Sequence, residues 1–306
     1  LPEGQAYWLQ PALVNRDGGR VWLSAQVYQP PPPVERKPAR LVLRPAGDWP
    51  LTLERWSALQ FPDPRGRDHR ALVRLEARLT DVSQGRQGHD LALSRRSRGL
   101  KEGVAVDGEV HMTRRLQRLA PHIQFLAVNR LVDGRGTAKR DAVDTDRLQQ
   151  APAGPQREMI GFGGEVVRFL QGLEVALPGE QVEPGATWKA RRPLPLDPTW
   201  RAVSALPPQI WGTDQPDALE VTFTYLGVRT VNGAEQAVLS LRGQTVRQPG
   251  REPGPDGRLS GTAVVDLATG QVVEEEVTTQ VTVELVLPGV TAIRAHGTVL
   301  ARLRRE

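Results

Sequence analysis

Cysteine is absent from the 306 residues, which excludes disulfides, thiolate catalysis and cysteine-ligated metal. No run approaches the roughly 20 apolar residues that a membrane-spanning helix needs, so we predict no transmembrane segment. Lysine is also scarce, and the net charge of +5 is carried almost entirely by arginine. The lysines are Lys37, Lys101, Lys139 and Lys189.

The arginines form short clusters that acidic or apolar residues interrupt, such as Arg95–Arg96 and Arg114–Arg115. A nucleic-acid surface would concentrate positive charge on one face with aromatic residues between. Aromatic residues make up 5% of the chain. We therefore expect no nucleic-acid partner.

Catalytic and metal-binding motifs are missing as well. The five histidines show no zinc-motif spacing, and no serine lies in a G-x-S-x-G context. We predict no catalytic, cofactor-binding or metal-ligating residues and no cofactor. Two sets of carboxylates leave a hydrolase open as an alternative. The first is the three aspartates of 141–146. The second is Glu274 with Glu276, which share one face of a strand at a separation that a glycosidase pair would tolerate.

The chain contains 26 prolines and 30 glycines, which favours many short strands and turns over long helices. In the first half, alternation over 70–82 indicates a strand, and Asp107-Gly108 is typical of a two-residue hairpin turn. The run PPPPVERKP at 30–38 indicates an extended linker or exposed crossing. Pro121 predicts a short helix that ends near Ala120.

A polar segment at 142–155 that ends in Pro-Ala-Gly-Pro suggests a boundary between two lobes. We predict a β-rich N-terminal lobe at 1–150 that contains the proline-rich linker, and a C-terminal lobe at 151–306. Apolar spacing after Gly164 predicts a helix near 164–173 in the second lobe.

Alternation dominates from Trp188 onwards. Val277 and Val281 share one side of a strand, opposite Glu274 and Glu276, and Asn232-Gly233 supplies a hairpin turn. A parallel strand would be apolar on both sides. The fold class predicted is therefore mainly β, an antiparallel meander that forms a curved sheet or half-barrel with one or two short helices.

Turn residues of the second half carry a resemblance. Its residues are Leu177, Pro178, Pro184, Gly185, Trp188, Asp266, Thr269 and Gly270. In this order they resemble an uncharacterised β-rich family of secreted proteins and lipoproteins from planctomycete-type bacteria, over the C-terminal half of the chain. The resemblance implies an exported, β-rich protein with no known activity, and it offers no catalytic residues to carry over.

The chain begins at Leu1 without a basic or apolar leader, so we expect a signal peptide to have been removed and the protein to be extracytoplasmic: periplasmic, cell-surface or secreted. The function expected is that of a non-enzymatic binding or structural component of a cell-envelope or extracellular complex. Its partners would be other proteins in a homo- or hetero-oligomeric assembly. Two alternatives stay open: a carrier of a lipid or small apolar ligand in a sheet concavity, and a carboxylate-dependent hydrolase of cell-wall or sugar polymers.

Overall fold

The computed structural model describes residues 8–17, 20–28, 33–44, 47–62, 66–107, 109–111, 119–194, 218–246, 256–285 and 293–305. Strands dominate this part of the chain, and none of its helices has the length and apolar character to cross a membrane. The strands are β1 (Trp8–Asp17), β2 (Arg20–Tyr28), β3 (Ala39–Arg40), β4 (Trp49–Pro62), β5 (Asp68–Gln87), β6 (Asp90–Val106), β7 (Glu109–His111), β8 (Ala127–Val132), β9 (Ala138–Val143), β10 (Gln181–Val182), β11 (Thr187–Pro193), β12 (Ala218–Val231), β13 (Ala234–Val246), β14 (Asp256–Asp266), β15 (Val272–Leu285) and β16 (Ile293–Arg305).

Eleven of these strands follow one another in a single antiparallel sheet, in the order β11-β12-β13-β14-β15-β16-β4-β5-β6-β8-β9, and β7 pairs with β6. The predicted mainly β fold with an antiparallel meander is confirmed. Strands from both halves of the sequence meet where β16 pairs with β4, with Arg302 opposite Glu54. The division into two lobes near residue 150 stays a prediction.

Alternation decides which face of the sheet is buried. In β5, Val73, Leu75 and Leu79 are buried while Arg74 and Arg78 are exposed, because successive side chains of a strand point to opposite faces. The buried faces of β4, β5 and β12 to β16 contribute to one continuous hydrophobic core. The other face of the sheet is polar and lies against solvent.

The sheet is strongly curved. Strand β11 lies four strands from β15, which in a flat sheet would separate them by about 19 Å, yet Arg192 of β11 reaches within 3.7 Å of Glu275 of β15 across the interior. One helix contacts both β9 and β11, the two terminal strands of the sheet. In the described residues these strands are not hydrogen-bonded to each other, so the sheet is an open half-barrel whose edges meet at a helix.

That helix is α2 (Ala153–Gln171), which follows the one-turn α1 (Thr145–Leu148). The prediction of a helix near 164–173 was right in kind and wrong in extent, because α2 begins much earlier. Gly161, Gly163 and Gly164 weaken intrinsic helix propensity, and in the sequence they indicated a start. A β-carbon at Gly163 would lie 2.8 Å from Leu126 Cδ1, so close packing explains a glycine inside the helix.

A 3-10 helix spans Ala120–Phe125. Pro121 stands in its first turn, where a missing N–H costs nothing and the fixed φ suits the helix. Leu119, immediately before the 3-10 helix, is helical, at the point where the sequence predicts that a short helix ends. Residues 112–118, the body of the predicted helix, lie outside the described residues.

The predicted turns are confirmed at three places. Asn232 (φ 50°) and Gly233 (φ 79°) connect β12 to β13, and Asp107 (φ 50°) closes the β6–β7 hairpin. Between β14 and β15, the Asp266 carboxylate accepts hydrogen bonds from the backbone N–H and the hydroxyl of Thr269. The positive φ angles of Asn232, Gly233 and Asp107 suit the left-handed turns that two-residue hairpins require.

Two connecting segments dock on the sheet. The described part of the proline-rich segment, 33–38, is largely exposed and is held by two hydrogen bonds between Glu35 and Val228. Trp188 anchors the start of β11: its indole N–H donates to the Ala176 carbonyl at 2.6 Å, and its ring stacks on Phe223. The Glu35–Val228 hydrogen bonds fasten segment 33–38 to β12, and the Trp188–Ala176 hydrogen bond fastens the segment between α2 and β11 to the sheet.

Candidate functional site

A pocket of about 110 Å³ lies between the buried face of the sheet and the C-terminal end of α2. We call it the sheet–helix pocket. It sits at the end of the sheet where β16 finishes and where the β14–β15 hairpin turns. Its apolar wall includes Leu51, Leu93, Leu170, Leu173, Val175 and Leu303. Its polar wall consists of Asp81, Arg95, Arg130, Glu174, Gln271, Glu275 and Arg305.

Arg95 and Asp81 form the first ion pair of the polar wall. Their strands, β6 and β5, are neighbours, and the guanidinium donates from Nε and Nη2 to the two carboxylate oxygens at 2.6 and 2.7 Å. Bidentate, charge-assisted hydrogen bonds of this kind fix both side chains. The side chain of Asp81 is 3% exposed, so the pair is part of the interior.

Arg130 of β8 joins a second cluster. It donates from Nε to Asp141 of β9 at 2.8 Å and from Nη2 to Glu174, which follows α2. Gln171, the last residue of α2, donates to the other oxygen of Asp141 at 2.9 Å. The cluster therefore attaches the C-terminal end of α2 to one terminal region of the sheet.

Arg192 of β11 attaches the C-terminal end of α2 to the other terminal strand of the sheet. Its Nη1 donates to the Gly172 carbonyl at 3.0 Å, and its guanidinium lies over the Phe223 ring at 4.9 Å from the centroid. Its contact with Glu275 is an ion pair at 3.7 Å, which is too long for a hydrogen bond. Burial lowers the pKa of Arg192 to about 10.

Glu275 is a carboxylate on the core face of β15. It stands opposite Ala263 on one side and Leu303 on the other, and it is 2% exposed. Burial raises its pKa to about 7, and the charge of Arg192 offsets only part of that rise. Within the described residues, its Oε1 has no hydrogen-bond partner.

Gln271 completes the polar wall and precedes β15. The turn fixes its backbone, since its carbonyl accepts from the Asp266 N–H at 2.9 Å. Its side chain is buried, and neither the amide nitrogen nor the amide oxygen has a hydrogen-bond partner in the described part of the chain. Unpaired buried polar atoms are costly and rare in native proteins, which marks this amide as available to a ligand.

The carboxylates that the sequence singled out lie elsewhere. Glu274 and Glu276 are on the solvent face, where Glu274 pairs with Arg229 at 3.3 Å and Glu276 with Arg302 at 2.6 Å. Of the three aspartates of 141–146, Asp141 pairs with Arg130, and Asp144 caps α1 by accepting from the Arg147 N–H. Among the described residues, no group of three His, Asp or Glu side chains could hold a metal ion.

Sequence analysis missed Glu275, Gln271 and Arg192. The signal for Glu275 was present, because three consecutive glutamates in an alternating strand must place the middle one on the face opposite its neighbours. That face also carries Val277 and Val281. Gln271 and Arg192 had no such signal, since their surroundings come from distant segments.

Structural comparison places the architecture among known folds. The chain superposes on lipovitellin, from a structure of its lipid–protein interactions, with a TM-score of 0.50 at 10% identity, covering 86% of this chain and 25% of the other. It thus spans about a quarter of the lipovitellin chain. The two proteins share a fold, an open β-sheet.

Two further structures align along most of their length but with low scores. A protein with a YmcC-like fold from Bacteroides fragilis, described as exported, gives a TM-score of 0.19 at 8% identity, covering 88% of this chain and 99% of the other. The OccK5 (OpdH) protein of Pseudomonas aeruginosa gives 0.21 at 9% identity, covering 85% and 98%. No family model and no curated protein matches the sequence.

Proposed function

We propose that the protein is a non-enzymatic, extracytoplasmic binding protein that holds a small ligand inside its curved sheet, in the sheet–helix pocket. One observation carries the proposal: the pocket is bordered by buried polar atoms of Gln271 and Glu275 that have no hydrogen-bond partner in the described protein, beside apolar lining residues. Apolar pockets with a few convergent polar groups are the usual form of small-molecule sites.

The pocket size limits what can bind. An engineered cavity of about 150 Å³ accepts benzene, so a pocket of about 110 Å³ takes a molecule of roughly five non-hydrogen atoms. A whole lipid acyl chain is too large for it. The lipovitellin likeness therefore supports the proposal through the shared open sheet, and the ligand proposed here is smaller than a lipid.

The position of α2 favours interior binding over assembly through sheet edges. Free edge strands offer unpaired backbone groups to a partner chain, whereas here α2 contacts both terminal strands. A hydrolase finds less support, because Glu274 and Glu276 pair with arginines on an open face. The extracytoplasmic location rests on the resemblance to secreted proteins carried by the turn residues of the second half.

Ligand-observed NMR with a panel of fragments of about five non-hydrogen atoms, both neutral and charged, tests the proposal. We expect the wild-type protein to bind at least one fragment. Leu170→Phe adds bulk to the apolar wall, where Leu170 is buried, and should abolish that binding. The matched control is Leu72→Phe, at an exposed position of β5, which should bind as the wild type does.

The melting temperature of each variant shows whether it is folded. Absence of binding by any fragment to the wild-type protein would contradict the proposal. Equal binding by folded Leu170→Phe would also contradict it, because the ligand would then lie elsewhere.

A further inference from the structure

We infer that the ligand of the sheet–helix pocket is a small neutral molecule with an amide-like pair of hydrogen-bond donor and acceptor, held by the side chain of Gln271. The inference rests on the proposed function and narrows it to a chemical class. It follows from three properties of the pocket: its charge balance, the unused amide, and its size.

The charged groups of the pocket compensate one another. Its lining contains three arginines and three carboxylates. Asp81 is engaged by Arg95, Glu174 by Arg130, and Glu275 by Arg192, which lies outside the lining. The third lining arginine, Arg305, is only half-buried, so solvent reaches its side chain. A charged ligand would lose its hydration and find no buried opposite charge that is still uncompensated among the described residues, which is unfavourable in a buried site. A neutral ligand avoids that cost.

The Gln271 amide offers the complementary groups. A glutamine side chain has two N–H donors and an oxygen acceptor, and in the described protein neither polar atom is used. A ligand carbonyl can accept from the Gln271 amide nitrogen while a ligand N–H donates to its oxygen. A primary amide supplies both groups at the matching separation, as Gln271 itself does.

The remainder of the ligand is short and apolar. Leu51, Leu93, Leu170 and Leu173 supply apolar lining of the pocket, and burial of a few methylene groups against them contributes favourably. With room for roughly five non-hydrogen atoms, the pocket fits an amide with a chain of two or three carbons.

Three probes of nearly equal size separate the ligand classes: propionamide, propionate and propylammonium. We expect NMR titration at neutral pH to give propionamide a dissociation constant of about 1 mM, as suits so small a ligand, and the two ions at least tenfold weaker binding. Gln271→Leu should weaken propionamide binding tenfold or more, since a ligand amide would then be buried unpaired. Gln280→Leu, at an exposed position of β15, is the matched control and should bind propionamide as the wild type does.

Stability separates a binding defect from misfolding. Gln271→Leu removes an amide that makes no hydrogen bond in the described protein, so we expect its melting temperature to equal or exceed that of the wild type. Tighter binding of propionate or propylammonium than of propionamide would overturn the neutral-ligand inference and leave the proposed function intact. Unchanged propionamide binding by Gln271→Leu would overturn the role of Gln271. Failure of every fragment in the wider panel would overturn both proposals together.

Discussion

Glu275 lies in the apolar interior, where its charged form is poorly solvated. Within the described part of the chain its ion pair is the 3.7 Å contact with Arg192, and its pKa rises to about 7 from an ordinary 4.5 because burial outweighs that pair. The folded protein thus binds this proton more tightly than the unfolded chain does. The corresponding stabilisation is complete below about pH 4.5 and is lost as the pH rises through 7.

Replacement of Glu275 by glutamine should remove this pH dependence. Glutamine resembles the protonated carboxyl, so we expect Glu275→Gln to match the wild type well below pH 4.5 and to be more stable at pH 8.5, by up to about 3 kcal/mol. Urea unfolding at a series of pH values measures the free energy of unfolding of both proteins. Subtracting one curve from the other removes the contribution of the remaining carboxylates.

Glu274→Gln is the matched control on the opposite face of the same strand, where the side chain is 40% exposed. We expect this variant to show no gain of stability over the wild type at pH 8.5. A Glu275→Gln profile parallel to the wild type would contradict a raised pKa at Glu275.

The sequence contains enough to place Glu275 in the interior but not Gln271. Alternation over β15 orients every side chain once one buried residue is known. Gln271 follows a turn, and its orientation depends on the Asp266 and Thr269 hydrogen bonds and on Gly270, where a β-carbon would come within 2.0 Å of the Val42 carbonyl oxygen. The distant segment that contains Val42 is not visible in the local pattern.

Helix α2 shows how packing can override helix propensity. Gly163 and Gly164 are adjacent in the helix, yet their surroundings differ. A β-carbon at Gly163 would lie 2.8 Å from Leu126 Cδ1 and 2.9 Å from Val143 Cγ2, whereas at Gly164 it would meet nothing within 4 Å. Gly163 is therefore closely packed, whereas Gly164 lies on open helix surface, and the sequence alone does not distinguish the two positions.

Alanine substitutions should separate the two roles. We expect Gly164→Ala to stabilise the protein by about 0.5–1 kcal/mol, because alanine is the better helix former. Gly163→Ala should destabilise it by about 1–3 kcal/mol, because Leu126 and Val143 must move in a packed interior. Chemical denaturation of both variants measures the difference, and equal stabilisation by the two would contradict the close packing of α2.

The β16–β4 pairing makes the sheet continuous from β11 to β9. Local periodicity predicts strands and their faces, but it does not say which distant strand completes an edge, so this junction could not be predicted. The same limit applies to the Arg192–Glu275 contact, which depends on the curvature of the whole sheet. The fold class was accessible from the sequence, and the pocket was not.

A continuous sheet whose strands from both halves of the sequence share one large hydrophobic cluster should unfold cooperatively. We expect tryptophan fluorescence and far-UV circular dichroism to report coincident urea transitions, since tryptophans occur in β4 and in β11, on both sides of the junction. Two separated transitions would instead support the independent lobes predicted on either side of residue 150.

The β16–β4 junction also determines when the sheet can become continuous during synthesis on the ribosome. Glu54 emerges about 250 residues before its neighbour Arg302, so one side of β4 stays unpaired until β16 has been synthesised. Nascent chains with such open strand borders are prone to misassociate. Synthesis of β16 is therefore the step that closes this strand border, and we expect nascent chains that lack β16 to bind chaperones that shield unpaired strands.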